Sequence, residues 1–364
     1  AQRVAAEGGA APAQTQEPVF VSRERTQQAL NPEISITGDV VGFGRIGRNG
    51  RSGELTAIPR EFEFSFQTAI DPYARMKIFV AREEEVPFEI EEDSAAEEEH
   101  GGFEIEEAYA YWVGLPGGLG LDVGKFQQQA GILNRWHTHA WPEADFPLAL
   151  REILGHEGLA QTGASVYWLA PWSGGGSAYE LWLQATAASN DRLFPESNAP
   201  TALAHLNNYW DLSDATYVQI GFTGAYAQDE DADDLRTRLA GVDLTLNWRP
   251  PARALYRELT LRSEWLWTDQ RTATGGESSA WGGYVAGYYK LGPRWRAGLR
   301  YDLLDPAEPG AERQWQIAPT LTRWWTEFLR LRAQWNHWQA GDERDDQFLL
   351  QLVWAVGPHR EDAY

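Results

Sequence analysis

Two closely spaced histidines are the residues of this sequence best suited to chemistry. The stretch "NRWHTHAWPEAD" contains His137 and His139, and it ends at Asp145. Imidazoles two residues apart on an extended chain point the same way, so they could share a Zn²⁺ or Cu²⁺ ion with a carboxylate. The chain has no cysteine, so no thiolate can complete a tight site. The alternative, which we prefer, is that these histidines only make hydrogen bonds that fix their own loop.

Two acidic runs are a second source of metal ligands. They are "EEEVPFEIEEDSAAEEEHGG" at 83–102 and "QDEDADD" at 228–234. Carboxylate oxygens suit Ca²⁺, but neither run has the spaced Asp/Asn and Gly pattern of a dedicated calcium loop. We interpret both as solvated external loops, and divalent ions could bridge the first to lipopolysaccharide phosphates. No cofactor is expected beyond weakly bound Ca²⁺ or Zn²⁺.

Basic residues recur on what we predict to be the polar face of extended segments. A ring of basic side chains lining a pore attracts anions. The predicted pore-lining residues are Lys125, Arg262, Arg294, Arg296, Arg300, Arg330 and Arg332. Acidic residues such as Glu61, Glu63, Asp243 and Glu264 are predicted to lie on the same face. The alternative is therefore a set of ion pairs that only brace the wall.

The sequence contains no recognisable catalytic motif. Serine, histidine and aspartate all occur, but none lies in a nucleophile motif such as G-x-S-x-G. The net charge of -22 argues against a nucleic-acid partner, which would need a basic surface. We therefore expect neither an enzyme nor a nucleic-acid-binding protein.

Short extended segments with a period of two would position these residues. In "EFEFSFQTAI" the aromatic residues Phe62, Phe64 and Phe66 alternate with Glu61 and Glu63. The predicted strands lie near 33–42, 61–70, 74–82, 103–113, 119–126, 159–169, 177–187, 201–211, 216–227, 237–249, 256–268, 280–291, 294–302, 313–323, 327–338 and 346–356.

Composition and connection lengths favour a membrane barrel. Tight turns such as "IDPY" and "LGPR" alternate with long polar stretches, which is the layout of an outer-membrane barrel. A membrane-spanning helix needs about 20 consecutive apolar residues, and no apolar run in the sequence approaches that length. The 18 tryptophans and 13% aromatic content suit a membrane interface, whereas a soluble β-sandwich or propeller would expose much of this surface to water.

The predicted fold is all-β: a transmembrane antiparallel β-barrel of about 16 strands, with short periplasmic turns and long external loops. An even strand number places both termini on the periplasmic side of a bacterial outer membrane. We expect residues 1–30 to form a flexible periplasmic tail and residues 31–364 the barrel. Because the sequence does not begin with methionine, we expect it to be a mature chain whose signal peptide has been removed.

The segment "LDVGKFQQQAGILNRWHTHAWPEADFPL" resembles the strand-then-loop segment of the phosphate-selective porin O/P group. The segments "NPEISITGD" and "LLQLVWAVGPH" resemble outer-membrane proteins that are labelled as porins or as metal-regulated receptors. In sixteen-stranded porins the loop between strands five and six folds inward, so the resemblance implies that residues 127–157 narrow the pore. Arg135 and Arg151 would lie near the constriction, with Lys125 leading into it. The chain has no room for the plug domain of a TonB-dependent transporter, so we reject the receptor interpretation.

The predicted function is passive diffusion of small solutes through the outer membrane, with a preference for anions. Expected partners are membrane lipids, lipopolysaccharide, small solutes and further copies of the chain in a homo-oligomer, with a trimer as the expected form. The alternative is a plugged structural barrel that anchors or docks a surface or periplasmic assembly. The high tryptophan count and the long loops fit either case.

Overall fold

The computed structural model describes residues 32–46, 54–84, 102–156, 158–190, 192–194, 200–229, 235–271 and 276–357. In these ranges the strands are β1 Glu33–Ile46, β2 Glu54–Ala69, β3 Ala74–Glu83, β4 Glu104–Leu115, β5 Leu119–Gln127, β6 Ala160–Leu169, β7 Ser177–Ala187, β8 Pro200–Ser213, β9 Thr216–Asp229, β10 Leu235–Trp248, β11 Leu259–Arg271, β12 Glu277–Gly292, β13 Trp295–Asp305, β14 Gln314–Thr326, β15 Leu329–Ala340 and β16 Glu343–Val356. The helix α1 spans Leu148–Leu154, and 3-10 turns span Leu133–Arg135, Thr138–Ala140 and Pro251–Arg253. The predicted tail, 1–30, and most of the acidic runs, at 85–101 and 230–234, lie outside the described residues.

The strands form one closed antiparallel barrel. Each strand pairs with its neighbours in sequence, and β1 pairs with β16 to complete the ring. Val41 of β1, for example, lies opposite Gln351 of β16. Closure gives every strand a partner on both sides, so no edge is left unpaired. The predicted sixteen-stranded antiparallel barrel is confirmed, and each predicted segment overlaps one strand.

Alternation of residue type decides which side chains face the interior. On β16, Phe348 is 48% exposed and Leu350 51% exposed, while Gln351 and Val353 are fully buried. The apolar face of this strand therefore lies on the outside of the barrel and the face containing glutamines lies inside. Within the described residues, no helix is long and apolar enough to span a membrane.

A bulge in β2 brings two consecutive charged residues into the interior. Asp39 pairs with Glu61 but Val41 pairs with Ile58, so β2 has one extra residue here. Pro59 lies in this irregularity, where its missing N–H does not interrupt a regular ladder. As a result Arg60 and Glu61 are both buried, although regular alternation would turn one of them outward.

A second bulge, in β4, has the same effect. Phe79 of β3 pairs with Glu107, and the next residue, Val80, pairs with Ile105. Glu106 is thus the extra residue, and both Glu106 and Glu107 reach His137 on the inside of the barrel. The two bulges place their carboxylates on neighbouring parts of the wall.

Candidate functional site in the barrel lumen

Residues 128–156, called the lumen loop below, connect β5 to β6 and lie inside the barrel. Backbone and side-chain hydrogen bonds join the two ends of this loop. The Gln128 N–H donates to the Leu159 carbonyl at 2.9 Å. Asn134 donates from Nδ2 to the Gln128 carbonyl at 2.8 Å and accepts from the Leu159 N–H at 2.7 Å. One buried asparagine therefore joins both ends of the loop.

The apolar part of the lumen loop packs against the inner wall. Leu133, Phe146, Leu150 and Leu154 are buried with inward-facing residues of β8 to β12. The wall is lined with small residues where α1 approaches it. A Cβ added at Gly282 would lie 2.8 Å from the Ala149 Cβ, so glycine is what allows this approach.

Four arginines donate to the backbone carbonyls of residues 139–145, a part of the loop without a strand partner. The pairs are Arg330 to His139, Arg332 to Trp141 and Glu143, Arg60 to Ala144, and Arg300 to Asp145. Buried carbonyls need donors, and here guanidinium groups from β2, β13 and β15 supply them. These arginines hold the loop in place.

Asp145 accepts four hydrogen bonds from the opposite wall. Its Oδ2 accepts from Arg300 at 2.9 Å, from Gln316 at 2.9 Å and from Asn336 at 3.0 Å. Its Oδ1 accepts from Gln334. Burial alone would raise the pKa of Asp145, but Arg300 and the amide donors hold it below its usual range. The grouping of Asp145 with the histidines as metal ligands stays a prediction; in the structure these four donors surround its carboxylate.

The first turn of the loop is fixed by Glu264 of β11. Its carboxylate accepts from the Ile132 N–H at 2.7 Å and from the Leu133 N–H at 3.1 Å. Nearby, the guanidinium of Arg262 lies 4.4 Å from the ring centroid of Trp136, a cation–π contact. Burial lowers the pKa of Arg135, although the negative charges of Asp243 and Glu264 oppose this shift.

The two histidines of the loop meet four carboxylates of the wall. This histidine–carboxylate cluster consists of Glu61, Glu63, Glu106, Glu107, His137 and His139. His139 Nδ1 lies 2.8 Å from Glu61 Oε1. His137 Nδ1 lies 3.0 Å from both Glu63 Oε2 and Glu106 Oε2, and its Nε2 lies 3.5 Å from Glu107 Oε2.

The carboxylates control the charge of both imidazoles. Burial by itself lowers the pKa of His137, but Glu63, Glu106 and Glu107 raise it well above its usual range. Burial likewise lowers the pKa of His139, and the opposing effect of Glu61 and Glu63 raises it overall. Both shifts favour the protonated imidazole, the form that pairs with these carboxylates.

The structure distributes the predicted pore-lining residues among several environments. Arg300, Arg330 and Arg332 are buried and bonded to the loop, while Arg262 and Arg296 pack against aromatic rings. Arg135 and Arg151 are half-buried within the loop itself. 

Two of the predicted positions are corrected. Lys125 lies two residues after Val123 on β5, so its side chain points to the outside of the barrel as that of Val123 does. Its Nζ donates to the Ile105 carbonyl at the rim of the barrel. Arg294 is exposed in the tight turn before β13. The sequence pattern predicts both side chains in the lumen, but charged side chains are also common where the apolar belt of a barrel ends.

Arg60 is a functional residue that the sequence reasoning missed. Pro59 was the available signal, because a proline inside a strand pattern marks an edge or a bulge, and this barrel has no edge.

Comparison with known proteins supports the fold. No family model matches the sequence. The chain is 26% identical over 399 residues to an uncharacterized protein of Aquifex aeolicus strain VF5, covering 92% of this chain and 80% of that one.

Solved structures with similar folds are outer-membrane channels. The outer membrane channel DcaP of Acinetobacter baumannii matches with a TM-score of 0.57 and 11% identity, over 90% of this chain and 96% of that one. The anion-selective porin of Comamonas acidovorans matches with a TM-score of 0.56 and 11% identity, over 89% and 100%. The trimer form of OmpT, an outer membrane protein of Vibrio cholerae, matches with a TM-score of 0.56 and 10% identity, over 90% and 100%. The barrel thus has the fold of outer-membrane porins.

Proposed function

We propose that this protein is an outer-membrane channel for passive diffusion of small solutes, narrowed by the lumen loop. The observation that carries the proposal is the closed sixteen-stranded barrel, apolar outside and polar inside, with a long loop inserted between β5 and β6. A barrel of this size has room for an aqueous channel. The absence of a catalytic activity remains a prediction, as does membership of the phosphate-selective O/P group.

Polar residues near the short-turn end of the barrel support a water-filled space there. On β6 to β9, alternate residues point into the barrel, as His205 and Thr223 do. Toward the short turns, these inward-pointing residues are only partly buried. These are Tyr167, Glu180, Asn207, Tyr209, Tyr217 and Gln219. Side chains of this kind are suited to a hydrated wall, so water is expected to reach the lumen loop from this end.

Planar-bilayer recording of the purified protein tests the proposal. Steady single-channel conductance in symmetric salt is the expected result. A stably inserted barrel that never conducts would contradict it. That outcome would favour the second candidate, a plugged structural barrel, which is supported by the apolar cluster between the lumen loop and β8 to β12.

Anion preference is the finer part of the proposal, and it rests on the arginines that are not engaged by the loop. Arg296 is half-buried on β13, with its guanidinium 5.4 Å from the Tyr288 ring centroid and 5.1 Å from that of Trp324. Arg300, four residues further on the same face, is fully buried among Asp145, Asp302 and Glu143. Of these two arginines, only Arg296 has a positive charge that permeating ions can approach.

A matched pair of variants tests this difference. Arg296→Gln is expected to shift the reversal potential in asymmetric salt toward lower anion preference, because it removes an approachable charge. Arg300→Gln is the control, and it should alter stability with a smaller change in selectivity. A cation preference in the unaltered protein, or equal reversal potentials for the protein and Arg296→Gln, would rule out the anion proposal.

We further propose a homo-oligomer, with a trimer as the first expectation. The trimer form of a structural neighbour supports this, and analytical ultracentrifugation in density-matched detergent would measure the mass. A monomer across the accessible concentration range would contradict it.

A further inference from the structure

The histidine–carboxylate cluster has an excess of buried acidic groups. Four carboxylates face two imidazoles, and Glu61, Glu63 and His139 are 0–1% exposed. Carboxylates buried close together repel one another, and this repulsion is costly away from water. A cation bound between them would remove this cost.

The second carboxylate oxygen of Glu61 has no hydrogen-bond partner in the described part of the chain. Glu61 uses Oε1 to contact His139, while its Oε2 is buried and accepts no hydrogen bond there. Buried carboxylate oxygens are normally satisfied, so an orphan beside two other potential ligands indicates a missing partner. The partner must be an acceptor of lone pairs, and a metal ion is one.

The ligand atoms already lie close to the spacing that one ion requires. One atom each from Glu61, Glu63 and His139 can be chosen so that all lie within 4.8 Å of one another. Zinc holds nitrogen and oxygen ligands at about 2.0–2.2 Å, so ligand atoms of a tetrahedral site lie about 3.3–3.6 Å apart. His139 Nδ1 lies 2.8 Å from Glu61 Oε1 and 3.9 Å from Glu63 Oε2, on either side of this spacing.

We propose that Glu61, Glu63 and His139 bind a divalent ion of the zinc class, which links the lumen loop to β2. An imidazole with two carboxylates suits such ions, whereas Ca²⁺ and Mg²⁺ prefer oxygen ligands alone. Glu63, Glu106 and His137 form an adjoining triad of the same kind that shares Glu63. Because Glu106 and His137 are less buried than the first triad, they lie on the path by which an ion enters. The proposal does not depend on conduction through the barrel.

Zinc titration of the full-length protein in detergent, after removal of metals with a chelator, tests the proposal. The protein is expected to bind Zn²⁺ with a dissociation constant in the micromolar range or below. His139→Gln should weaken binding by at least about tenfold, since loss even of a ligand's supporting partner has effects of this order. His337→Gln is the matched control, because His337 Nδ1 contacts Asp346 at the same 2.8 Å outside the cluster.

Three results would overturn the proposal: no Zn²⁺ binding by the unaltered protein, equal weakening by both variants, or complete competition by Ca²⁺ at equal concentration. Folding of each variant is checked by heat-modifiable migration in gels. The Co²⁺ form of the unaltered protein provides a test without any variant. Strong visible absorption is expected from four- or five-coordinate nitrogen and oxygen ligation, and the weak spectrum of six-coordinate hydrated Co²⁺ would contradict the site.

Discussion

Replacing residues 130–155 by a short Gly-Ser turn is expected to raise single-channel conductance several-fold. The lumen loop lies inside the barrel in contact with β2, β8 to β13 and β15, so its removal should widen the channel. The replacement is sterically simple, because the Gln128 N–H already lies 2.9 Å from the Leu159 carbonyl. A tight turn can therefore connect β5 to β6 without moving either strand.

A deletion outside the lumen is the control for this experiment. Residues 308–311 connect β13 to β14 and are exposed, so shortening this connection should leave conductance unchanged. If the unaltered protein is silent and the loop deletion conducts, the lumen loop is the plug of a structural barrel. Equal conductance with and without the loop would show that residues 128–156 do not limit the channel.

The same loop shows where sequence reasoning succeeds and where it stops. Period-two alternation predicted every strand, because a wall between lipid and an interior must alternate apolar and polar residues. A closed barrel also requires the last strand to pair with the first, and β1 pairs with β16. Local pattern is sufficient for both features.

Contacts within the lumen are not local, and their pattern could not be predicted. Asp145 accepts hydrogen bonds from residues 155 to 191 positions away in sequence. Nothing in the alternation of β13 or β15 shows that Arg300 and Arg332 donate to a loop rather than line an open pore. Glu106 shows this limit of the sequence pattern most clearly. Strict alternation along β4 would place its side chain on the outside of the barrel, and only the bulge places it in the interior.

The arginine side chains and the carboxylate side chains of the wall therefore have different roles on the two sides of the loop. On β13 and β15, guanidinium groups satisfy carbonyls that would otherwise be buried without donors, and this fixes the loop's backbone. On β2 and β4, carboxylates contact the imidazoles of the loop. The loop is thus held through its backbone carbonyls on one wall and through two histidine side chains on the other.

Asp145→Asn is expected to lower the free energy of unfolding by about 3–5 kcal/mol, the range for removing one partner of a buried ion pair. The amide would direct an NH₂ group toward donors, because Arg300, Gln316, Gln334 and Asn336 all donate to this side chain. Denaturant unfolding in detergent, followed by tryptophan fluorescence, measures the change. Asp342→Asn, in the exposed turn between β15 and β16, is the matched control and should have little effect.

The pH dependence of this difference identifies its cause. The pKa of Asp145 is lower in the folded protein than its usual value, so its contribution to stability is fully present above the unfolded-state pKa of about 3.9. That contribution is lost as the pH falls through the lower, folded-state pKa. The gap in stability between the unaltered protein and Asp145→Asn should therefore remain constant from neutral pH down to about pH 5 and narrow below about pH 4. A gap that stays the same below the folded-state pKa would mean that the amide disturbs packing, and that the ion pair with Arg300 is not what stabilises the loop.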